Sequence, residues 1–341
     1  MYIIKYRWAF RYYSIERTMD IIQTTGGVFT DEIRQLVLKN ISKVFFCKEE
    51  DIEELVPVQA GMTNIVLSFR YNGGKYIYRH PGLGSEILVE RGRETIMQKV
   101  VEDVGIDTTV IAMDVETGWK IARYIEHYDY DYHNLNDMVR GVMLMRKLHE
   151  APCRVRWNFD VIKKAEGIKS KTAPEAYGHF ENFEKLRDNI YRLYRLAQTD
   201  GIHQCYTHGD ARDVNFLINK DEIYLSDWEY GGYGDPGFDL GSYIAGGIHT
   251  IDEVDRILFT YYRRKPNPIQ KRHFYAYIAI SGWFYMHWSM LKESKGQDPE
   301  PHKTRWYTYA TEYSVMALAM YKEQGVDVDS FEGYTGDIIN K

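Results

Sequence analysis

Between Tyr206 and Gly241 the chain reads YTHGDARDVNFLINKDEIYLSDWEYGGYGDPGFDLG. His208, Asp210 and Asn215 fall in the order H-x-D-x-x-x-x-N, and Asp227, Trp228 and Glu229 follow a short hairpin pattern. Phosphoryl transfer needs this layout. One carboxylate accepts the proton of an attacking hydroxyl, while a carboxamide and a second aspartate hold Mg²⁺ against a triphosphate. Asp210 fits the first role, with His208 grouped beside it as catalytic, and Asn215 and Asp227 fit the metal roles. Two protein ligands suffice, because Mg²⁺ keeps several waters and takes phosphate oxygens. The competing reading is a surface hairpin with solvated Asp and Asn residues, since short motifs recur by chance; the D-W-E at the right distance weighs against it.

The element that positions these groups is the hairpin. Phe216, Leu217 and Ile218 form one apolar run, Ile223 and Leu225 another, with Asn219, Lys220 and Asp221 as the turn. Folding it brings Asn215 and Asp227 to the same end. Asp239 precedes the apolar run Leu240, Tyr243 and Ile244, the place of a helix N-cap.

The H-G-D-x-x-x-x-N loop, the D-W-E-Y after the hairpin and the G-D-P-G-F-D-L beyond it resemble the choline/ethanolamine kinases. The short hairpin looks most like the compact bacterial LicA-type members. These belong to the wider aminoglycoside-phosphotransferase-like group of the protein-kinase-like superfamily. The resemblance covers roughly residues 55 to 320. It implies an α+β, two-lobed protein-kinase-like fold, with an antiparallel sheet plus helices in the N-lobe and a mostly helical C-lobe. By the same resemblance Asp239 braces the catalytic loop.

In the N-lobe, Val56 to Phe69 reads as strand, tight loop, strand. Gly61, with Thr63 and Asn64, would let backbone N–H groups approach a phosphate, and this loop resembles the G-M-[ST]-N loop of choline kinases. Asn72, Gly73 and Gly74 form a hairpin turn. On the next strand, Lys75 to Arg79, the cation that holds nucleotide phosphates is Arg79, where protein kinases carry lysine. Ser85 begins a helix through about Val104, and Glu94 matches the family's partner for that cation, with Glu90 one turn earlier as competitor. Gly118 to Tyr124 leads into Ile125, Glu126 and His127, which the resemblance makes the hinge whose backbone meets adenine. The expected division is therefore an N-terminal extension over residues 1–28, a nucleotide-binding N-lobe over 29–126 and a C-lobe over 127–341.

Helical periodicity runs from Thr30 to Phe46 (Ile33, Leu36, Val37, Ile41, Val44), Asn134 to Glu150 (Met138, Val142, Met145, Leu148) and Phe180 to Ala197. The polar stretch Lys163 to Pro174 reads as a loop or frayed helix. His127 and His133 read as surface or packing residues. The last third is helical and aromatic. Tyr285 and Trp288 lie three apart on one face. They fit the positions where choline kinases place aromatics around a quaternary ammonium, with Tyr309 as a third and Glu229 and Tyr230 beside them. A trimethylammonium head has no N–H to donate, so aromatic faces and a carboxylate hold it best. The bland reading makes these aromatics packed core.

Composition narrows the function. At 341 residues, 44% hydrophobic and 27% charged, the chain is an ordinary globular one with room for two cores. A net charge of −6 argues against a nucleic-acid partner. Cys47, Cys153 and Cys205 show no disulfide or metal spacing, which places the chain in a reducing cytoplasm. No apolar run reaches membrane-spanning length. The basic, aromatic stretch Met1 to Asp20 fits an amphipathic helix or an extension upstream of a start at Met19. The sequence thus points to an ATP- and Mg²⁺-dependent kinase phosphorylating choline or a related small amino alcohol. The alternatives are another cationic acceptor (ethanolamine, thiamine, an amino sugar or an aminoglycoside) and an inactive nucleotide-binding scaffold. The sequence leaves a homo-oligomer open.

Overall fold

The computed structural model describes residues 29–58, 64–80, 91–331 and 333, apart from 156, 179 and 181. The N-terminal 28 residues, the loop carrying Gly61 and Thr63, and the segment carrying Glu90 lie outside the described residues. The chain divides into two compact units, one ending at Glu126 and the next beginning at His127.

The first unit holds helix α1 (Asp31–Phe45), strands β1 (Glu53–Val58), β2 (Ile65–Tyr71) and β3 (Gly74–His80), helix α2 (Arg91–Val104), and strands β4 (Val110–Met113) and β5 (Lys120–Arg123). Thr30 caps α1 by accepting the Ile33 N–H at 3.2 Å. The strands form one antiparallel sheet in the order β1-β2-β3-β5-β4. Asn72 and Gly73 both take positive φ (48° and 75°) between β2 and β3, the turn that matches the strand twist. Val37 and Ile41 pack with Leu67, Phe69, Tyr78 and Ile121 into one core. Leu36, expected on the same stripe, is exposed.

The second unit is mostly helical. Helices α3 (Leu135–His149), α4 (Val161–Lys169) and α5 (Phe183–Gln198) precede β6 (Cys205–Thr207). The hairpin of β7 (Phe216–Ile218) and β8 (Ile223–Leu225) follows, then β9 (Gly232–Gly234), which pairs with β6. Helices α6 (Pro236–Gly246), α7 (Ile251–Tyr262), α8 (Pro268–Ser294) and α9 (His302–Glu323) complete it. Of the two readings of the stretch from Lys163, loop or frayed helix, the structure has a helix, α4, as far as Lys169. Asp160 caps it, and Val161, Ile162, Ala165 and Ile168 form a buried stripe that the surrounding lysines hide in the sequence. Helix α8 is buried almost all round, as its aromatic and aliphatic composition requires. Its start is tied down by ionic contacts. Arg272 reaches Asp200 at 2.7 Å, while His273 bridges Asp200 (3.2 Å) and Asp235 (2.9 Å). The described Cys47, Cys153 and Cys205 are free thiols.

Candidate active site

Everything in the loop from His208 to Asn215 is fixed by groups around it. Asp239 is the anchor, fully buried in the first turn of α6. Its Oδ2 accepts the His208 N–H at 2.7 Å and its Oδ1 the Gly209 N–H at 2.8 Å. His149 at the end of α3 adds a third contact to Oδ2 at 3.0 Å. The helix N-cap expected at Asp239 is instead Asp235, which accepts the Gly237 N–H at 2.8 Å, with Pro236 at the first helical position. Asp239 lies too far into the turn to cap and turns its carboxylate onto the loop.

Gly209 has φ +83°, and a Cβ there would lie 2.7 Å from the Tyr230 Cβ. Only glycine lets the loop press against the turn that follows β8. His208 is fully buried. Its Nδ1 accepts the Asp210 N–H at 3.1 Å and its Nε2 donates to the Ser226 carbonyl at 2.8 Å. Both ring nitrogens are used on backbone, so His208 joins the loop to the strand end before Asp227. Geometry gives it a positioning role.

Asp210 is the most heavily contacted carboxylate of the loop. Arg212 donates Nε to its Oδ1 at 2.5 Å and Nη2 to its Oδ2 at 3.0 Å. The Tyr285 hydroxyl donates to Oδ1 at 2.7 Å, and Asn215 Nδ2 to Oδ2 at 3.1 Å. Burial pushes this carboxyl up, but Arg212, with the Tyr285 hydroxyl, outweighs it and leaves the group below the usual carboxylate range. Arg212 therefore keeps Asp210 ionised at neutral pH.

The hairpin does what its sequence pattern requires. The Asn215 carbonyl accepts the Ser226 N–H at 2.8 Å, which brings Asp227 to the same end as Asn215. Asp227 sits at φ 69°, a left-handed conformation that aspartate tolerates and that clusters at functional sites. Asn215 spends its amide nitrogen on Asp210, by the bond already described and by one at 2.8 Å to the Asp210 carbonyl. Its carboxamide oxygen and the Asp227 carboxylate are hard oxygen donors of the kind Mg²⁺ takes, so the residues present fit that ion. Around them, Tyr230 is held protonated, first by burial and then by the charges of Glu229, Asp210 and Asp227.

The aromatics gather on the other side of Asp210. The Tyr285 ring lies 5.1 Å from that of Trp306, and Trp288 meets Trp306 at 6.2 Å. The Arg212 guanidinium lies over both Tyr285 (5.0 Å) and Trp306 (5.9 Å). Trp306 was not singled out by the sequence. Tyr309, which was, turns its hydroxyl to the 247–249 loop, accepting from the His249 N–H at 2.9 Å and donating to the Gly247 carbonyl at 3.2 Å. Residues 306 and 309 share a helix face, and their order along α9 decides which one meets Tyr285.

In the first unit, Arg79 and Glu94 form a buried ion pair, so of the two glutamates proposed Glu94 meets the cation. Lys120, opposite Arg79 across the β3–β5 ladder, also reaches Glu94 at 3.5 Å. Ile125 is buried just before the division between the units, and Asn64 immediately precedes β2.

An antiparallel five-stranded sheet with a buried Arg–Glu pair, and a helical unit carrying a braced H-G-D-x-x-x-x-N loop and hairpin, define a protein-kinase-like phosphotransferase. A choline/ethanolamine kinase family model matches residues 55–281, and the chain belongs to that family. Protein LicA of Haemophilus influenzae is 23% identical over 252 residues, 70% of this chain and 73% of that protein. The choline kinase LicA from Streptococcus pneumoniae has a similar structure, with a TM-score of 0.70 at 19% identity over 84% of this chain and all of that one. LicA in complex with AMP gives 0.68 at 20% identity, again over 84% and 100%. A spectinomycin phosphotransferase crystallised with ADP and spectinomycin is more distant, at 0.51 and 14% identity over 85% and 98%. The protein is a small-molecule phosphotransferase acting on an alcohol, an ATP-dependent kinase of the choline/ethanolamine type. No helix among the described residues is long and apolar enough to cross a membrane.

Proposed function

We propose that the acceptor is choline or a close amino-alcohol relative and that the reaction depends on Mg²⁺. One observation carries this reading. The Tyr285 hydroxyl contacts Asp210 at 2.7 Å while the face of the same ring holds a cation at 5.0 Å. A base for the hydroxyl and a seat for a positive head thus adjoin on one side chain.

Asp210 orients the acceptor hydroxyl and takes its proton. In a loose transition state the proton leaves late, so a base as weak as a carboxylate suffices. Positioning then outweighs proton abstraction. Asn215 and Asp227 would hold Mg²⁺, whose charge offsets that building on the transferred phosphoryl group. Arg79, kept in place by Glu94, and the loop with Gly61, Thr63 and Asn64 serve the nucleotide phosphates, and the backbone at Ile125 serves the adenine. Tyr285, Trp288 and Trp306 face the ammonium, with Glu229 and Tyr230 supplying negative charge and an aromatic edge.

ADP release with Mg²⁺-ATP, measured against choline, ethanolamine, thiamine and an aminoglycoside, tests this. The expected order places choline highest in kcat/KM. Preference for the aminoglycoside would overturn the acceptor assignment, and no release with any acceptor would support an inactive scaffold.

A further inference from the structure

Asp210 is full. An ionised carboxylate offers about four lone-pair sites. Here Arg212 Nε and the Tyr285 hydroxyl take Oδ1, while Arg212 Nη2 and Asn215 Nδ2 take Oδ2. An acceptor hydroxyl has no lone pair to donate to until one of these leaves. Asn215 is fixed by a second bond to the loop backbone, and Tyr285 by its place inside α8. Arg212 is the donor held by side-chain contacts alone, and it occupies two of the four sites. The same guanidinium covers the aromatic faces of Tyr285 and Trp306.

We infer that Arg212 is a gate worked by the acceptor's own charge: an alkylammonium head takes the Tyr285 and Trp306 faces, the guanidinium withdraws, and Asp210 becomes open to the hydroxyl. This rests on the cationic-acceptor reading above and deepens it. The gate converts recognition of charge into availability of the base. A neutral alcohol of the same shape cannot replace a guanidinium on an aromatic face, because the attraction there is between a cation and the ring quadrupole. Selectivity for cations then lies in kcat as well as in KM, since the neutral molecule binds beside a blocked base.

The test compares choline with 3,3-dimethylbutan-1-ol, its neutral isostere, in the wild type, Arg212→Met and Arg212→Lys. In the wild type, choline exceeds the isostere in kcat. In Arg212→Met the isostere's kcat rises and the choline-to-isostere ratio in kcat shrinks by about tenfold or more, the scale of one or two cation–π contacts. Arg212→Lys, which keeps the charge without the two-pronged grip, lies between. A ratio unchanged in Arg212→Met, or both substrates slowed equally, would overturn the gate and leave Arg212 a structural or charge-stabilising group. Absence of choline turnover in the wild type would instead overturn the acceptor reading, so the two failures are distinct.

A second site stands on separate observations. Among the described residues His133, His249 and Glu253 bring one ligand atom each within 4.8 Å of one another. His133 Nδ1 contacts Glu253 Oε1 at 2.8 Å. Both ring nitrogens of His249 are buried without a hydrogen-bond partner among the described residues, an arrangement that costs free energy unless something ligates them. The His133 side chain is half exposed, which provides an entry path and room for a water. The geometry points to a Zn²⁺-type site with two imidazoles and one carboxylate, in which the metal replaces the proton shared by His133 and Glu253 and draws the three side chains inward. The His249 ring abuts Tyr132 edge-on at 5.4 Å, and the Tyr132 hydroxyl accepts the Asp213 N–H at 2.7 Å, so the site lies one ring from the catalytic loop.

Competition for Zn²⁺ with a chromophoric chelator, using the whole chain, tests this. One Zn²⁺ per chain is expected in wild type and in Asp227→Ala. Affinity should fall more than about tenfold in His133→Gln and His249→Ala, because even outer partners of a metal ligand carry that much. His133 is exposed enough for its variant to fold. Binding unchanged in His133→Gln, lost in Asp227→Ala, or absent in the wild type would remove the site.

Discussion

Replacing Asp239 by Asn separates the brace of the catalytic loop from its chemistry. The two side chains have the same shape, so packing is preserved and only the donor–acceptor balance changes. Asp239 presents Oδ1 to the Gly209 N–H and Oδ2 to the His208 N–H and His149 Nε2. An amide has one acceptor end. If its oxygen faces His208, its NH₂ meets the Gly209 N–H; turned over, it meets the His208 N–H. His149 can adapt, since its Nδ1 contacts the Tyr261 hydroxyl at 2.9 Å and the ring can exchange tautomers. The two backbone donors cannot. One buried N–H left without an acceptor costs about 1–3 kcal/mol, and loss of charge from the surviving bond adds roughly another 1 kcal/mol. The expected loss is thus about 2–4 kcal/mol, or roughly 4–16 °C in Tm for a unit of this size. Shifting the loop by about 1 Å also costs on the order of 10²-fold in kcat. Thermal unfolding followed by circular dichroism, with ADP release measured where the variant is fully folded, gives both numbers. A Tm within about 2 °C of wild type together with unchanged kcat would refute the brace, because the geometry offers no way to satisfy both N–H groups.

Asp210→Asn should reduce kcat by about 10²–10⁴-fold with the secondary structure intact, and ADP release near the wild-type rate would remove Asp210 from the chemistry. Glu94→Gln removes the negative charge that Arg79 and Lys120 share, so the first unit should lose stability by about 1–3 kcal/mol and the KM for ATP should rise; stability and KM both unchanged in chemical denaturation and ADP-release assays contradict this. Burial would lower the pKa of His273, but Asp235 and Asp200 raise it to about 9 from its ordinary 6.5. A folded-state value above the unfolded one means the stabilisation is full below pH 6.5 and is lost as pH rises through about 9, amounting to roughly 3 kcal/mol. Tm measured across that window should decline in the wild type, and an equal decline in His273→Gln would show that another group is responsible.

Local pattern carried much of this structure. The turn Asn72–Gly73 and the hairpin from Phe216 to Leu225 are written in residues that need particular φ values or alternate in polarity, so they were readable. Helix α3 ran as its stripe of Met138, Val142, Met145 and Leu148 required. Helix α4 was hidden because lysines interleave its apolar residues. What the sequence withheld were partners set by tertiary contact. Lys120 meets Glu94 only because β5 lies beside β3, an order that no local pattern encodes. His149 lies about ninety residues from Asp239, and its role follows from how α3 and α6 sit together. That Trp306 meets the Tyr285 ring while Tyr309 reaches the 247–249 loop follows from where each lies along α9 beside α8, which no local pattern encodes.

The two aspartates of the site show how a fold separates a structural carboxylate from a reactive one. Asp239 faces two backbone N–H groups, which cannot leave without unfolding the loop, so its charge is committed. Asp210 faces side chains, and Arg212 can swing away by rotation about its own bonds, so its charge can be released to a substrate. Burial does not make the distinction, for both groups are well enclosed and Asp239 more so. The kind of donor decides. A carboxylate satisfied by main chain holds the machinery in shape, whereas one satisfied by mobile cations is poised to exchange them for an alcohol that carries a charge of its own.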